Sequence, residues 1–359
     1  MTLYIGVDLH PHQQTASWCD TETGETDTVD LKHDREVVRE FYSSFREPVV
    51  VGIEASSRAK WFGNMLFEMG HELVVGNPVL IRKRATSRHK NDRRDAELIL
   101  GLLMRGEFPA IWRRPPESDQ VIEVLMLRYR MVRQRTQVYN RLQALAHSAG
   151  LPKGRIKTLK FQELIRSVEM DEAASLAREQ YFALSGSLDE RLAEVERWLK
   201  AKAEADPKVQ LLQTQKGVGY LTALITVNTL GDVSRFNKVG KEVVSFAGLD
   251  PVERSSAGQV RFGGVSKAGS SILRHHLGQA AQMASRLDVK LKSFYKRLSR
   301  KKPKAVAKTA VARKLLVKLA IMLRDNINAD EFDIQWELSP TRPLRGRTVG
   351  NAREARGLK

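Results

Sequence analysis

The chain has 359 residues, a formal net charge of +18 and a sequence pI near 10.0. That length allows two or three domains with cores of their own, and Cys19, the single cysteine, excludes an intrachain disulfide and a thiolate metal cluster. The positive excess favours a polyanionic partner, because each neutralised phosphate releases condensed counterions, and no apolar run approaches the length of a bilayer span.

The opening MTLYIGVDLH reads as a strand and not as a signal peptide, since it lacks a charged leader and a small-residue cleavage site. A bacterial-type cytoplasm is the expected location. Residues 3–9, 15–19 and 26–31 read as three consecutive strands with short turns, the pattern of an antiparallel meander. Helical spacing follows over 34–45. The β-branched run PVVVGI at 48–53 predicts a strand buried on both faces. A helix over 59–69 and a strand over 72–75 stop at Gly76-Asn77-Pro78, and helices are expected over 79–85 and 93–105. Three strands, helix, strand, helix, strand and helices is the order of an RNase H-like fold, although alternation of this kind also suits other α/β folds.

Residues 117–149 predict one long, charge-rich helix and 172–205 a second, with Leu188, Leu192, Val195 and Leu199 on its apolar stripe. Such a pair forms an antiparallel hairpin or a dimerising coiled coil. Residues 150–160 between them, with Pro152 and Gly154, read as a basic connector. Beyond Asp206-Pro207 the pattern is mostly helical to about 330, broken by a Gly/Ser-rich stretch over 248–271, and residues 296–324 carry basic but no acidic side chains. The Arg/Gly-rich tail is expected to order only when bound.

Asp8 ends the first strand and Glu54 ends the buried one, where side chains emerge into a cleft. Asp92 and Asp95 stand three apart at a helix start and share one face. Singly, each has a bland explanation: strand-end solvation, or an acid favoured by the helix dipole. Together, in an RNase H-like strand order, Asp8, Glu54, Asp92 and Asp95 predict a site for Mg²⁺, a hard ion that takes oxygen ligands. Two such ions, with Mn²⁺ as a substitute, clamp the attacking and leaving oxygens of a phosphodiester. Arg82, Lys83, Arg84, Arg88 and Lys90 flank these acids with one-sided charge suited to a nucleic-acid backbone.

A second constellation begins at Lys216-Gly217-Val218-Gly219. A Gly-x-Gly turn opening a helix presents backbone N–H groups to phosphate, as in a helix-hairpin-helix module, or is simply a tight helix–helix turn. Further on, Arg254, Ser255, Ser256, Arg261, Ser266, Lys267 and Arg274 place hydroxyls among cations. A serine hydroxyl becomes a nucleophile only where it is deprotonated or held in a strongly cationic site, and on composition alone this stretch reads as a loop contacting DNA backbone. His275-His276 has no acidic or cysteine partner at ligand spacing and reads as structural.

These motifs together resemble the DEDD-motif transposases of insertion sequences, which are close to the Piv-type pilin-gene invertases. The resemblance is carried by IGVD at 5–8, GIEAS at 52–56, NP at 77–78, KNDRRDA at 90–96, KGVGYLTA at 216–223, FAGLDP at 246–251, ERSSAG at 253–258 and VSKAG at 265–269. It implies a RuvC-like catalytic domain over 1–110, a helical coiled-coil region over 111–206, a transposase domain over 207–330 and a flexible basic tail over 331–359. It also implies that the tetrad binds Mg²⁺, and that Ser256 forms a phosphoserine intermediate. Ser255 is the alternative, because Ala257 separates Ser256 from Gly258. Double-stranded donor and target DNA, a structured bridge RNA and a homodimer assembling to a homotetramer are the implied partners, with no membrane. A site-specific invertase without guide RNA, a junction-resolving nuclease using the metal site alone, and a non-catalytic nucleic-acid-binding protein are the competing readings. The last has no need of four acids in a basic chain.

Overall fold

The computed structural model describes residues 3–45, 47–56, 59–84, 91–253 and 262–338. Two compact units divide the chain, Met1–Pro116 and Glu117–Lys359, in a mixed α/β architecture with an N-terminal sheet and a helical C-terminal part.

In the first unit, β1 (Leu3–Leu9), β2 (Gln13–Asp20) and β3 (Thr26–Lys32) form the expected antiparallel meander. After α1 (Arg35–Ser43), β4 (Val50–Glu54) pairs parallel to β1. After α2 (Ala59–Glu68), β5 (Glu72–Gly76) pairs parallel to β4, giving the strand order β3-β2-β1-β4-β5. The helices α3 (Pro78–Arg84) and α4 (Asp92–Met104) follow. Boundaries fall within two residues of those expected, because each element is bounded by its own signal: Asp34 caps α1 and Asn91 caps α4 with their side-chain oxygens.

The period of two along a strand sorts the sheet's faces. Ile5, Val7, Val51 and Ile53 pack with Val38, Tyr42, Phe62 and Leu66 of α1 and α2. The opposite face offers Tyr4, Val50 and Val74 to Ile99, Leu102 and Leu103 of α4. Gly6 and Gly52 lie side by side on that face. A Cβ on Gly6 would stand 2.3 Å from the Ala96 carbonyl oxygen and 2.4 Å from the Leu100 amide, and one on Gly52 would meet Leu103 Cδ1 at 2.5 Å. Two adjacent glycines therefore let the α4 backbone lie directly on the sheet. Gly6→Ala is expected to destabilise this unit by ~3 kcal/mol, because the atoms met are backbone and cannot rotate away. A denaturation curve followed by the fluorescence of Trp18 and Trp61 tests it, and an unchanged midpoint would remove this explanation of how α4 is seated.

In the second unit, α5 (Pro116–Ser148) and α7 (Glu172–Ala205) pair as an antiparallel hairpin within the chain. Arg128 bonds Glu196, and Arg135 bonds Asp189 at 2.7 Å, so seven residues forward on one helix match seven back on the other. Met131, Val138 and Leu142 meet Phe182, Leu188 and Leu192 between them. The connector holds a helix that its basic composition hid, α6 (Leu159–Ser167), whose Phe161 and Ile165, four apart, share the hairpin's core.

The remaining helices are α8 (Pro207–Gln213), α9 (Tyr220–Leu230), α10 (Val239–Phe246), α11 (Ser271–Leu287), α12 (Val289–Ser299), α13 (Lys304–Asp325) and α14 (Ala329–Leu338). Their core centres on Leu273, Leu277 and Ala281 of α11 against Val311, Leu315 and Leu319 of α13. The Gly/Ser-rich stretch is more than loop: β6 (Pro251–Glu253) and β7 (Phe262–Val265) pair antiparallel across it. Among the described residues, no helix is long and apolar enough to cross a membrane.

Candidate active site

The strand register brings the acids of the first unit toward one another. Val7 is opposite Ile53 in the parallel β1/β4 pair, so Asp8 and Glu54 are the next positions along each strand. By parity both lie on the face of Gly6 and Gly52, the face that α4 covers. The same glycines that seat α4 thus set its N-terminal acids, Asp92 and Asp95, beside Asp8. Burial holds the Asp8 carboxyl above the usual carboxylate range, the charges of Asp95 and Asp92 push the same way, and His10 opposes them.

His10 completes the closest group. Its Nε2 lies 3.0 Å from Asp8 Oδ2 and 3.3 Å from Asp92 Oδ1, and among the described residues one donor atom from each of Asp8, His10 and Asp92 lies within 4.8 Å of the others. Asp95 and Glu54 stand outside that inner cluster. Neighbouring ligands of an ion bound at about 2.1 Å are about 3 Å apart, so the observed spacing fits a divalent cation held by two carboxylates and an imidazole. Sequence reading of the acids missed His10. The signal was its place two residues after Asp8, on the same side of an extended chain.

Arg82, Lys83 and Arg84 are exposed at the end of α3, and among the described residues none is paired with an acid. Arg88 and Lys90 lie outside the described residues.

In the second unit the Lys216–Gly219 turn joins α8 to α9, with Gly219 as the N-cap of α9. Gly217 has φ +91°, and a Cβ there would meet the Ala284 amide at 2.5 Å, so only glycine lets the turn rest on α11. Buried Gln215 fixes it from beneath, donating from Nε2 to the Lys216 carbonyl at 3.1 Å and to Asp288 Oδ2 at 3.0 Å. Lys216 and Gly219 are exposed.

The loops around β6 and β7 interlock. A Cβ on Gly269 would stand 2.0 Å from the Phe246 carbonyl oxygen, and Lys267 takes a left-handed φ of 58° while its amide donates to the Gly248 carbonyl at 3.1 Å. Ser266 Oγ donates to Asp250 Oδ1 at 2.5 Å. Arg274 Nη1 donates to the carbonyls of Ala247 and Gly269 at 3.0 and 2.6 Å. Ser266 and Arg274 therefore have partners inside the loop scaffold, whereas Lys267 is exposed. Arg254, Ser255, Ser256 and Arg261, in the segment that joins β6 to β7, lie outside the described residues.

Residues 5–149 match a transposase family profile of the DEDD, IS110 type, and residues 209–296 match the profile described as the IS116/IS110/IS902 transposase family. The chain is 30% identical over 249 residues, 67% of its length and 68% of the relative's, to the transposase for insertion sequence element IS1111A of Coxiella burnetii. It is 29% identical over 259 residues, 70% of the chain and 75% of the relative, to a probable family 20 transposase of Pseudomonas aeruginosa. With the transposase for IS1328 of Yersinia enterocolitica it shares 26% identity over 238 residues, 66% of the chain and 71% of the relative. DEDD-type transposase domains use divalent metal ions, and the Asp8, His10 and Asp92 donors suit one. A DEDD tetrad on one sheet face in the N-terminal half and two family matches that together span both units have one meaning: the chain belongs to the IS116/IS110/IS902 transposase family and is an enzyme that acts on DNA.

Proposed function

We propose that the protein is the transposase of an insertion sequence, cutting and rejoining double-stranded DNA at donor and target sites in a bacterial-type cytoplasm. The observation that carries this reading is the placement of Asp8, Glu54, Asp92 and Asp95 on the α4 face of the sheet, with Asp8 held near two further acids. The strand order β3-β2-β1-β4-β5, antiparallel then parallel, supports an RNase H-like, RuvC-like domain over about 1–110. The hairpin of 111–206 is the coiled-coil region, 207–330 is the transposase domain with its helix-hairpin-helix-like turn, and 331–359 is the basic tail.

Asp8, His10 and Asp92, with Glu54 and Asp95 around them, would hold Mg²⁺, as two ions, with Mn²⁺ as a substitute. Bound there, the metal supplies positive charge to the phosphoryl oxygens of a scissile phosphodiester. His10 orients the carboxylates of Asp8 and Asp92 through its Nε2. Ser256 is the nucleophile by its position in ERSSAG. Its Oγ forms a bond to phosphorus while the bond to the leaving sugar oxygen breaks. The hydroxyl proton is lost to solvent and the leaving oxygen takes one up, so the step balances and reverses when a sugar hydroxyl attacks the phosphoserine. The exposed cations Arg82, Lys83, Arg84, Lys216 and Lys267 would contact nucleic acid, together with Arg88, Lys90, Arg254 and Arg261. A structured bridge RNA guides the choice of DNA, and dimers assemble to tetramers on it.

Purified protein, given a plasmid carrying the element's ends, is expected to excise and rejoin DNA in Mg²⁺ and to stop in EDTA, with a discrete RNA co-purifying. Full recombination in EDTA would refute the metal-dependent reading. Full recombination by RNA-free protein would make it an invertase of the unguided kind.

A further inference from the structure

A cleft of about 410 Å³ opens in the second unit between α5 and α11, bordered by Arg128, Tyr129, Arg133, His275, His276 and Gln279. That volume is in the range of ligand sites, about 300–1,000 Å³. It belongs neither to the carboxylates nor to the loops around Ser256, and it absorbs the histidine pair that the sequence left as structural. The Tyr129 and His275 rings stand 4.9 Å apart, edge to face, and the His275 and His276 rings 5.3 Å apart at 90°. The Arg133 guanidinium lies 5.9 Å from the centre of the Tyr129 ring.

His276 points to a ligand. It is only 5% exposed, yet among the described residues neither ring nitrogen has a hydrogen-bond partner, and its ring borders the cleft. A buried polar group without a partner costs free energy that a bound molecule recovers. Burial, helped by His275 and Arg128, pushes its pKa down to about 4, so at neutral pH it offers one donor and one acceptor and no charge. Arg128 is tied to Glu196 at 2.9 Å, whereas exposed Arg133 has no acid partner among the described residues. The cleft thus has an aromatic wall, a neutral donor–acceptor floor with the Gln279 amide near it, and one free cation at its mouth. A small anion does not need the wall. A metal has no carboxylate or thiolate there. A planar heterocycle joined to a phosphate uses all three.

We propose that this cleft binds one unpaired nucleotide of a single-stranded nucleic acid, its base against Tyr129 and His275, its base edge on His276 and its phosphate at Arg133. The proposal rests on the nucleic-acid-acting function above and adds a strand state to it: a duplex cannot present a base edge and face in this way without opening.

Full-length protein mixed with 12-nucleotide single strands carrying one 5-iodouracil, as DNA and as RNA, and then irradiated, is expected to form adducts that peptide mass spectrometry maps to Tyr129 or His275. Whichever strand cross-links identifies the sugar. Arg133→Ala and His275→Ala, at exposed positions, are expected to lower single-strand affinity roughly tenfold by fluorescence anisotropy, with a loss several-fold larger than for the same sequence as duplex. Adducts confined to other peptides, or equal losses for strand and duplex, overturn the cleft and leave the transposase reading standing. Failure of the unmodified protein to bind either form overturns both.

Discussion

Replacing Asp8 by asparagine is expected to lower metal-dependent DNA strand cleavage by on the order of 10³-fold. Asparagine keeps the shape of the side chain and removes the charge that a divalent cation needs, at the one carboxylate that touches His10 within 3.0 Å and feels both Asp92 and Asp95. The variant separates lost chemistry from lost folding. The folded-state pKa of Asp8 is raised, by burial first and by the two neighbouring acids second. A carboxyl with a raised folded pKa binds its proton more tightly in the folded state, so its contribution to stability falls as pH rises from the unfolded value of 3.8 through the folded one. At neutral pH the ionised, metal-free Asp8 therefore works against folding, and Asp8→Asn in EDTA is expected to melt no lower than the wild type. Added Mn²⁺ is expected to raise the melting temperature of the wild type and to leave that of the variant unmoved. A variant that cleaves at the wild-type rate would end the metal-site reading, and one that melts well below the wild type would show that Asp8 holds the fold instead.

Ser256→Ala is expected to abolish covalent protein–DNA adducts and recombination together, to below one part in about 10³, while DNA binding survives. Alanine removes the only atom that joins phosphorus and leaves the backbone of ERSSAG unchanged in composition. Denaturing gels of protein trapped on nicked element-end DNA read the adduct directly. Ser255→Ala, one residue away, is expected to keep the adduct. If the two variants exchange roles, the nucleophile is Ser255. If adducts persist in both single variants and in the double variant, neither serine is the nucleophile and the carboxylate site acts by a hydrolytic route.

Much of the first unit was legible because each signal was local. PVVVGI is a strand whichever neighbour it pairs with, and Asp34 and Asn91 cap the helices they precede. The carboxylates were legible because they end strands or start a helix. What the pattern could not show was their closing distance, which depends on Gly6 and Gly52 lying side by side beneath α4. Glycine in a strand reads as a weakness until the partner backbone is seen against it. His10 was hidden for a related reason: an imidazole after a strand end has no meaning until α4 delivers Asp92 to 3.3 Å. The two long helices were plain from their periodicity, but whether they paired with each other or with another copy was not. Long-range contacts such as Arg135 with Asp189 decided for an intrachain hairpin. In the second unit the Gly-x-Gly turn was correctly read as the start of a helix, whereas α6 was masked by the basic residues around Phe161 and Ile165.

The central claim is that β1, β4 and α4 assemble a divalent-metal site from acids far apart in the chain. Isothermal titration of Mn²⁺ into the full-length, metal-stripped protein tests it most directly. Saturable binding by the wild type, lost in Asp8→Asn and weakened in His10→Ala, is the expected result. Superimposable isotherms for the wild type and Asp8→Asn would contradict it.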